Sequence, residues 1–268
     1  MGLELLFSGL IFFTGSNILM RRILNRLFSK SLSSADQYLI TEKCISSLQA
    51  ILSTVAGIII IEACQNDIMY DIHWLTNTYA WFGLPYFVYD IWAMYNTYYY
   101  LNNSMPMLTR CERLKHFTYS NIPMLFHHLC LPCVFFPMIL YFRENKGDYF
   151  VGVLYTCESA IPFISIRFIL AQLKMKDSII YIVSGLMMIF VFFIVRICIF
   201  PFLYWKYGVY DSIPFLHVPF RIPIKCNMGC LVILLVQFYF LYLMVRGAFR
   251  VFYKIYQKRG NSSLIKNN

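Results

Sequence analysis

The sequence predicts an all-α, polytopic membrane protein, a helical bundle of about seven transmembrane helices. Three observations predict it. Hydrophobic residues make up 59% of the chain and charged residues only 13%, about half the charge of a soluble domain. The apolar residues gather in runs close to the ~20 needed to cross ~30 Å of hydrocarbon. The basic residues fall in short clusters at the ends of those runs, as an orientation signal does.

The spans follow in order. Leu3–Met20 is the first and is retained, because Met1 to Leu3 lack a basic leader region and no small-residue cleavage site follows. Cys44–Cys64, Tyr79–Tyr98, Asn121–Phe142, Tyr149–Leu173, Ser178–Tyr204 and Asn227–Phe249 complete the set. The first is short and the third is interrupted by polar residues. The chain divides into an N-terminal span with a basic loop (1–43), a membrane domain (44–252) and a short tail (253–268). There is no internal repeat and no separate soluble domain.

Charge sets the orientation. Arg21, Arg22, Arg26, Lys30 and Lys43 follow the first span, whereas Asp67 and Asp71 follow the second. Arg110, Arg113 and Lys115 follow the third, Lys174 and Lys176 the fifth, and Arg250, Lys254, Lys258 and Arg259 the seventh. This alternation fits an odd number of spans with the N-terminus lumenal and the C-terminus cytosolic. Lys206, Arg221 and Lys225, after the sixth span, run against it. The sequons Asn102-Asn103-Ser104 and Asn261-Ser262-Ser263 then face the cytosol and stay unmodified. The net charge of +10 is spent on these clusters, so nucleic acid is not an expected partner. The nine cysteines are scattered in apolar stretches and read as small buried residues rather than a disulfide frame.

Ionisable groups inside spans are costly and mark functional candidates. They are Asp90, His127, His128, Glu158, Arg167 and Arg196. At ~1.5 Å per residue, the histidines lie roughly 10 Å and Asp90 about 12 Å from the cytosolic ends of consecutive antiparallel spans. Asp90 is therefore expected level with the pair, where a carboxylate fixes an imidazole's tautomer for general-base work. Neighbours on a helix point ~100° apart, so one imidazole faces the carboxylate and the other bonds elsewhere or lines the same cavity. Glu158 and Arg196 are expected as a deeper structural pair, and Arg167 as a residue that snorkels to headgroups. Cys130 and Cys133 cannot join both histidines around one zinc, because all four lie within two turns of one helix. No metal is expected. Pro123, Pro132 and Pro137 predict a distorted fourth span, and Pro162 a kink in the fifth. Pro214, Pro219 and Pro223 make the apolar 211–225 stretch an irregular capping, re-entrant or interfacial segment.

These residues also carry a resemblance. His127-His128-Leu129, Glu158-Ser159-Ala160-Ile161-Pro162-Phe163 and Arg196-Ile197-Cys198-Ile199-Phe200-Pro201 resemble the TLC domain family. Gly147-Asp148-Tyr149-Phe150-Val151-Gly152 and Val218-Pro219-Phe220-Arg221-Ile222-Pro223 are similar to TLC domain-containing proteins of subgroup three. The resemblance runs from about Cys44 to about Phe252. It implies an endomembrane protein of lipid metabolism, with the endoplasmic reticulum as the expected membrane and the Golgi or plasma membrane as alternatives. By resemblance to the ceramide synthases, it implies transfer of a fatty acyl group from acyl-CoA to a sphingoid base. His127 and His128 match the catalytic histidines of that branch, and Asp90 would orient them. Membrane lipids, fatty acyl-CoA and a sphingoid base are the implied partners, with acyl-CoA as substrate and no cofactor. Homo- or hetero-oligomers with other lipid enzymes fit such a protein. One departure stands out: where ceramide synthases carry His-Asp and then a further Asp, this chain has Cys157-Glu158 and then Ile161. That loss favours the other reading, a non-catalytic lipid-binding regulator of membrane lipid homeostasis.

Overall fold

The computed structural model describes residues 2–102 and 109–266. It is helical, with no strand among the described residues, and the chain is a polytopic all-α membrane protein. Two compact units divide it, Met1–Lys176 and Asp177–Asn268.

Among the described residues the first unit holds six helices: α1 (Gly2–Phe28), α2 (Ser34–Ala63), α3 (Trp74–Leu101), α4 (Arg110–Ser120), α5 (Ile122–Phe142) and α6 (Asp148–Gln172). The start of α2 is written into its sequence. Ser33 accepts a hydrogen bond from the Asp36 amide, and Asp36 accepts from the Ser33 amide in return, a capping box. Thr109 and Glu112 start α4 in the same way. The Thr109 amide and hydroxyl hold the exposed Glu112 carboxyl below its usual range.

Among the described residues six helices are long and apolar enough to cross a membrane: α1, α2, α5, α6 and two in the second unit. The expected third span lies inside α3, which is not among those six. At 28 residues it is ~42 Å long, so length is not the reason. Its sequence is rich in Tyr and Asn and includes Asp90, and it packs against α1 and α2. A helix covered by neighbours needs little aliphatic surface.

A core of Phe13, Ile45, Tyr86, Tyr89 and Ala93, flanked by Phe82 and Phe87, joins α1, α2 and α3. Within it Asn17 Nδ2 donates to Tyr89 Oη at 2.7 Å, so both buried polar groups are satisfied. α5 lies against α3, and α6 against α2. In α5 the helix widens to π geometry at Leu131–Phe135 and Met138–Phe142. Pro132 and Pro137, which have no amide to donate, sit at these slips. In α6 the same pressure tightens Cys157–Ala160 to a 3-10 turn before Pro162.

α2 and α6 approach backbone to backbone at Gly57 and Gly152. A Cβ built on Gly57 would lie 2.5 Å from the Gly152 carbonyl oxygen, whereas one on Gly15 of α1 would meet nothing within 4 Å. Gly57→Ala is therefore expected to destabilise the fold by about 1–3 kcal/mol through overpacking. Gly15→Ala should be neutral or stabilising by up to ~1 kcal/mol, through helix propensity. Unfolding midpoints in detergent micelles check both, and equal midpoints for the two variants would refute the close approach.

The second unit contains α7 (Ile179–Tyr210) and α8 (Ile224–Lys266). α7 carries a π segment at Phe193–Cys198. Between the helices the proline-rich stretch is irregular, as its prolines require. It forms a 3-10 turn at Phe215–His217 and a single α-turn at Val218–Arg221. Val218 is buried beside Gly208 of α7, Phe220 is 89% exposed, and Asn227 clasps the stretch by accepting from Tyr204 Oη and donating to the Pro219 carbonyl. Asn103 and Ser104 of the first sequon, and the side chains of Asn261, Ser262 and Ser263, lie outside the described residues, as do the last two residues of the tail.

Candidate functional site

The site begins with the length of α2. Residues 34–43 were expected in a basic loop; they form the first turns of α2 instead. Their polar character is real, but the capping box starts the helix ten residues earlier than hydropathy alone suggests. Glu42, Lys43 and Ser46 thereby enter the bundle, spaced so that 42 and 46 share one helix face.

Opposite stands Asp90 of α3, almost fully buried. Ser46 Oγ lies 3.2 Å from Asp90 Oδ1 and also bonds the Glu42 carbonyl at 3.0 Å. The other oxygen, Oδ2, lies 3.2 Å from Nε2 of His128 on α5. The helix rise puts this carboxylate level with the histidines, and the structure brings it against one of them, His128. His128 is buried and packs near the rings of Tyr86 and Phe87, at centroid distances of 6.5 and 6.0 Å.

His127 turns away, half-buried. Its ring centroid is 5.5 Å from that of His128 with the planes at 78°, as neighbours ~100° apart on a helix must be. Glu42, also buried, is ion-paired with Lys43. The Lys43 ammonium lies 5.1 Å from the Phe168 ring centroid and within electrostatic reach of Asp90. Buried charges in a membrane persist only when paired in this manner.

One atom in this cluster is left over. His128 Nδ1 is buried and has no hydrogen-bond partner. With Nε2 directed at the Asp90 carboxylate, the proton belongs on Nε2, and Nδ1 is a lone pair in an enclosed place. That is the arrangement of a base or nucleophile whose tautomer is fixed from behind.

The remaining candidates are placed as follows. Arg167 is half-buried on α6, five residues before its end. Glu158 sits half-buried on the 3-10 turn of α6, in the first unit. Arg196 is buried on the π segment of α7, in the second unit, with its guanidinium carbon 5.8 Å from the Phe192 ring centroid. Glu158 and Arg196 thus belong to different units. No group of three or more His, Cys, Asp or Glu side chains converges as a metal site among the described residues. Of the C-x-x-C pair, Cys133 is exposed.

Glu42, Lys43 and Ser46 are the members that sequence reasoning missed. A signal was present: Ser33 followed three residues later by Asp36, just ahead of a long apolar run, marks a helix start.

Comparison with known proteins gives the family. Over 241 residues the chain is 25% identical to TLC domain-containing protein 4-A of Xenopus laevis, covering 89% of each chain. No solved structure matches it. The TLC domain itself is matched over residues 39–246, a stretch that includes the whole His128–Asp90–Ser46–Glu42 cluster and most of the chain. The protein belongs to the TLC domain family.

Proposed function

We propose that the protein is an N-acyltransferase of membrane lipid metabolism, joining a fatty acyl group from acyl-CoA to the amine of a sphingoid base. The observation that carries this reading is the unpartnered, buried Nδ1 of His128, whose opposite nitrogen faces Asp90. A lone pair in that position takes the proton released when the amine nitrogen attacks the thioester carbonyl. The N–C bond forms and the C–S bond breaks as the tetrahedral intermediate collapses. The thiolate of coenzyme A leaves with the proton that His128 held, and the imidazole is regenerated. Asp90 stabilises the imidazolium in between. His127, the half-buried neighbour whose ring lies 5.5 Å from that of His128, is the second imidazole of the proposed site.

The membrane is that of the endoplasmic reticulum, with the N-terminus lumenal and the C-terminus cytosolic. The dyad then lies toward the cytosolic side, where the coenzyme A head remains in water while its acyl chain enters the bilayer. Arg110, Arg113, Lys115, Lys174 and Lys176 supply cations at that mouth.

The departure at Cys157-Glu158 supports the second reading, a lipid-binding regulator without turnover. Purified protein given labelled acyl-CoA and a sphingoid base separates the two. Wild type should form the amide, His128→Ala should lose it by about two to four orders of magnitude, and His127→Ala should lose less. Bound lipid with no product at any acyl-chain length overturns the enzyme and favours the regulator.

A further inference from the structure

A second polar feature lies at the same end of the first unit but on its N-terminal helix, outside residues 39–246 matched by the TLC domain. Arg21 is the first basic residue after the apolar stretch of α1. That stretch, Leu3–Met20, is ~27 Å long, so Arg21 emerges where hydrocarbon gives way to headgroups.

Its guanidinium carbon lies 3.8 Å from the centroid of the Tyr38 ring on α2. Tyr38 in turn stacks on Tyr100 of α3, with centroids 3.9 Å apart and planes at 15°. Residues of three helices thus meet here, with the guanidinium set against the Tyr38 ring and that ring stacked on Tyr100. A long side chain at a membrane surface ordinarily samples many positions; this one is held in place before any ligand arrives.

Beyond its interaction with the Tyr38 side chain, the guanidinium has no anionic partner among the described residues. No carboxylate pairs with Arg21 among the described residues, and its Nε is buried with no hydrogen-bond partner. Asp36, the acid in the first turn of α2, is committed elsewhere. One of its oxygens accepts from the Ser33 amide and hydroxyl, and the other from Gln172 Nε2 at 2.7 Å. Arg22, Arg26 and Lys30 add exposed positive charge along the same helix. A fixed, planar, under-satisfied fork of donors suits a tetrahedral oxyanion better than a lysine would, and phosphate is the anion it matches bidentately.

We infer that the Arg21–Tyr38–Tyr100 stack is a binding site for a phosphate ester, held at the headgroup level of the membrane. The shared chemistry is a phosphate bearing negative charge, presented either by an anionic phospholipid or by a soluble phosphorylated carrier such as coenzyme A. The site is separate from His128, and its failure leaves the acyl-transfer reading untouched.

Native mass spectrometry of the full chain in detergent tests it, with phosphatidic acid, phosphatidylcholine and coenzyme A titrated in separate arms. Phosphatidic acid should bind saturably and more tightly than phosphatidylcholine, and its half-saturation should rise at least tenfold in Arg21→Gln. Arg26→Gln, which removes an exposed charge outside the stack, should leave it within twofold of wild type. Arg21→Lys keeps the charge but loses the planar fork, and should fall between wild type and Arg21→Gln, a result that does not depend on Tyr38 variants folding. The same pattern with coenzyme A instead of lipid also supports the site and assigns the phosphate to the soluble carrier. Equal losses in Arg21→Gln and Arg26→Gln would mean a diffuse positive field and overturn the site. So would an unchanged Arg21→Gln, or no saturable binding of any of the three probes.

Discussion

Asp148→Ala is expected to cost about 3–5 kcal/mol of stability, the range for breaking a buried ion pair from one side. Asp148 begins α6 and is 0% exposed. Its Oδ2 accepts from the His73 amide and from Thr76 Oγ1, both at 2.8 Å. Its Oδ1 is paired with Arg143, which also donates to the Asn77 carboxamide oxygen at 2.8 Å and to the Lys146 carbonyl at 3.0 Å. Gly147, at φ +71° in the left-handed region where glycine is at ease, donates its amide to the Met69 carbonyl at 2.8 Å. Tyr155 closes the arrangement by donating to the Thr76 carbonyl at 2.9 Å. One carboxylate therefore ties the 64–73 loop, the start of α3, the end of α5 and the start of α6 together. Removing it leaves a mostly buried guanidinium and two amide or hydroxyl donors without their acceptor. Arg143→Ala should cost a similar amount, and the double variant little more than either single one, because each change destroys the same network. Unfolding in mixed micelles measures all three. A loss below about 1 kcal/mol for Asp148→Ala, or simple additivity, would show that the clasp does not act as a unit.

That clasp illustrates what the sequence conceals. Gly147-Asp148 stands out in it as part of a motif, and Arg143–Asp148 as a loop of balanced charge. Neither reading says that the aspartate faces inward, because hydropathy reports composition along the chain and not the partners brought in from 66 to 79 residues away. Apart from the third, which falls in the polar-rich α3, the spans themselves are legible, since crossing a bilayer demands a length and an apolarity that can be read along a single segment. Their ends are less so. α1 runs on to Phe28 and α2 starts at Ser34, because a helix continues through charged residues once it reaches the headgroups. The level of Asp90 against the histidines was legible because rise per residue is a property of every helix. The contribution of Glu42 and Lys43 was not, because they were assigned to the loop that the capping box excludes.

Under the proposed acyl transfer, Asp90→Asn is expected to lower the turnover of amide formation by on the order of 10²–10⁴ while leaving KM for acyl-CoA nearly unchanged. The carboxamide fills the same space, so the fold should survive. It can, however, present its nitrogen to His128 Nε2, which moves the imidazole proton to Nδ1 and removes the lone pair that the reaction needs. A merely structural role would not separate kcat from KM in this way, and a parallel fall in both would count against the dyad. Glu42 enters through charge. It holds Lys43 in an ion pair, and Lys43 lies within electrostatic reach of Asp90. In Glu42→Gln that ammonium loses its own partner and competes with His128 for the Asp90 carboxylate, so activity should fall at least tenfold. Adding Lys43→Gln removes the competitor and should return most of it. Such a rescue is hard to obtain from loss of packing, since the double variant departs further from the native sequence than the single one. If the double variant is no more active than Glu42→Gln, Glu42 does not act by restraining Lys43. The dyad would then stand on Asp90, Ser46 and His128 alone.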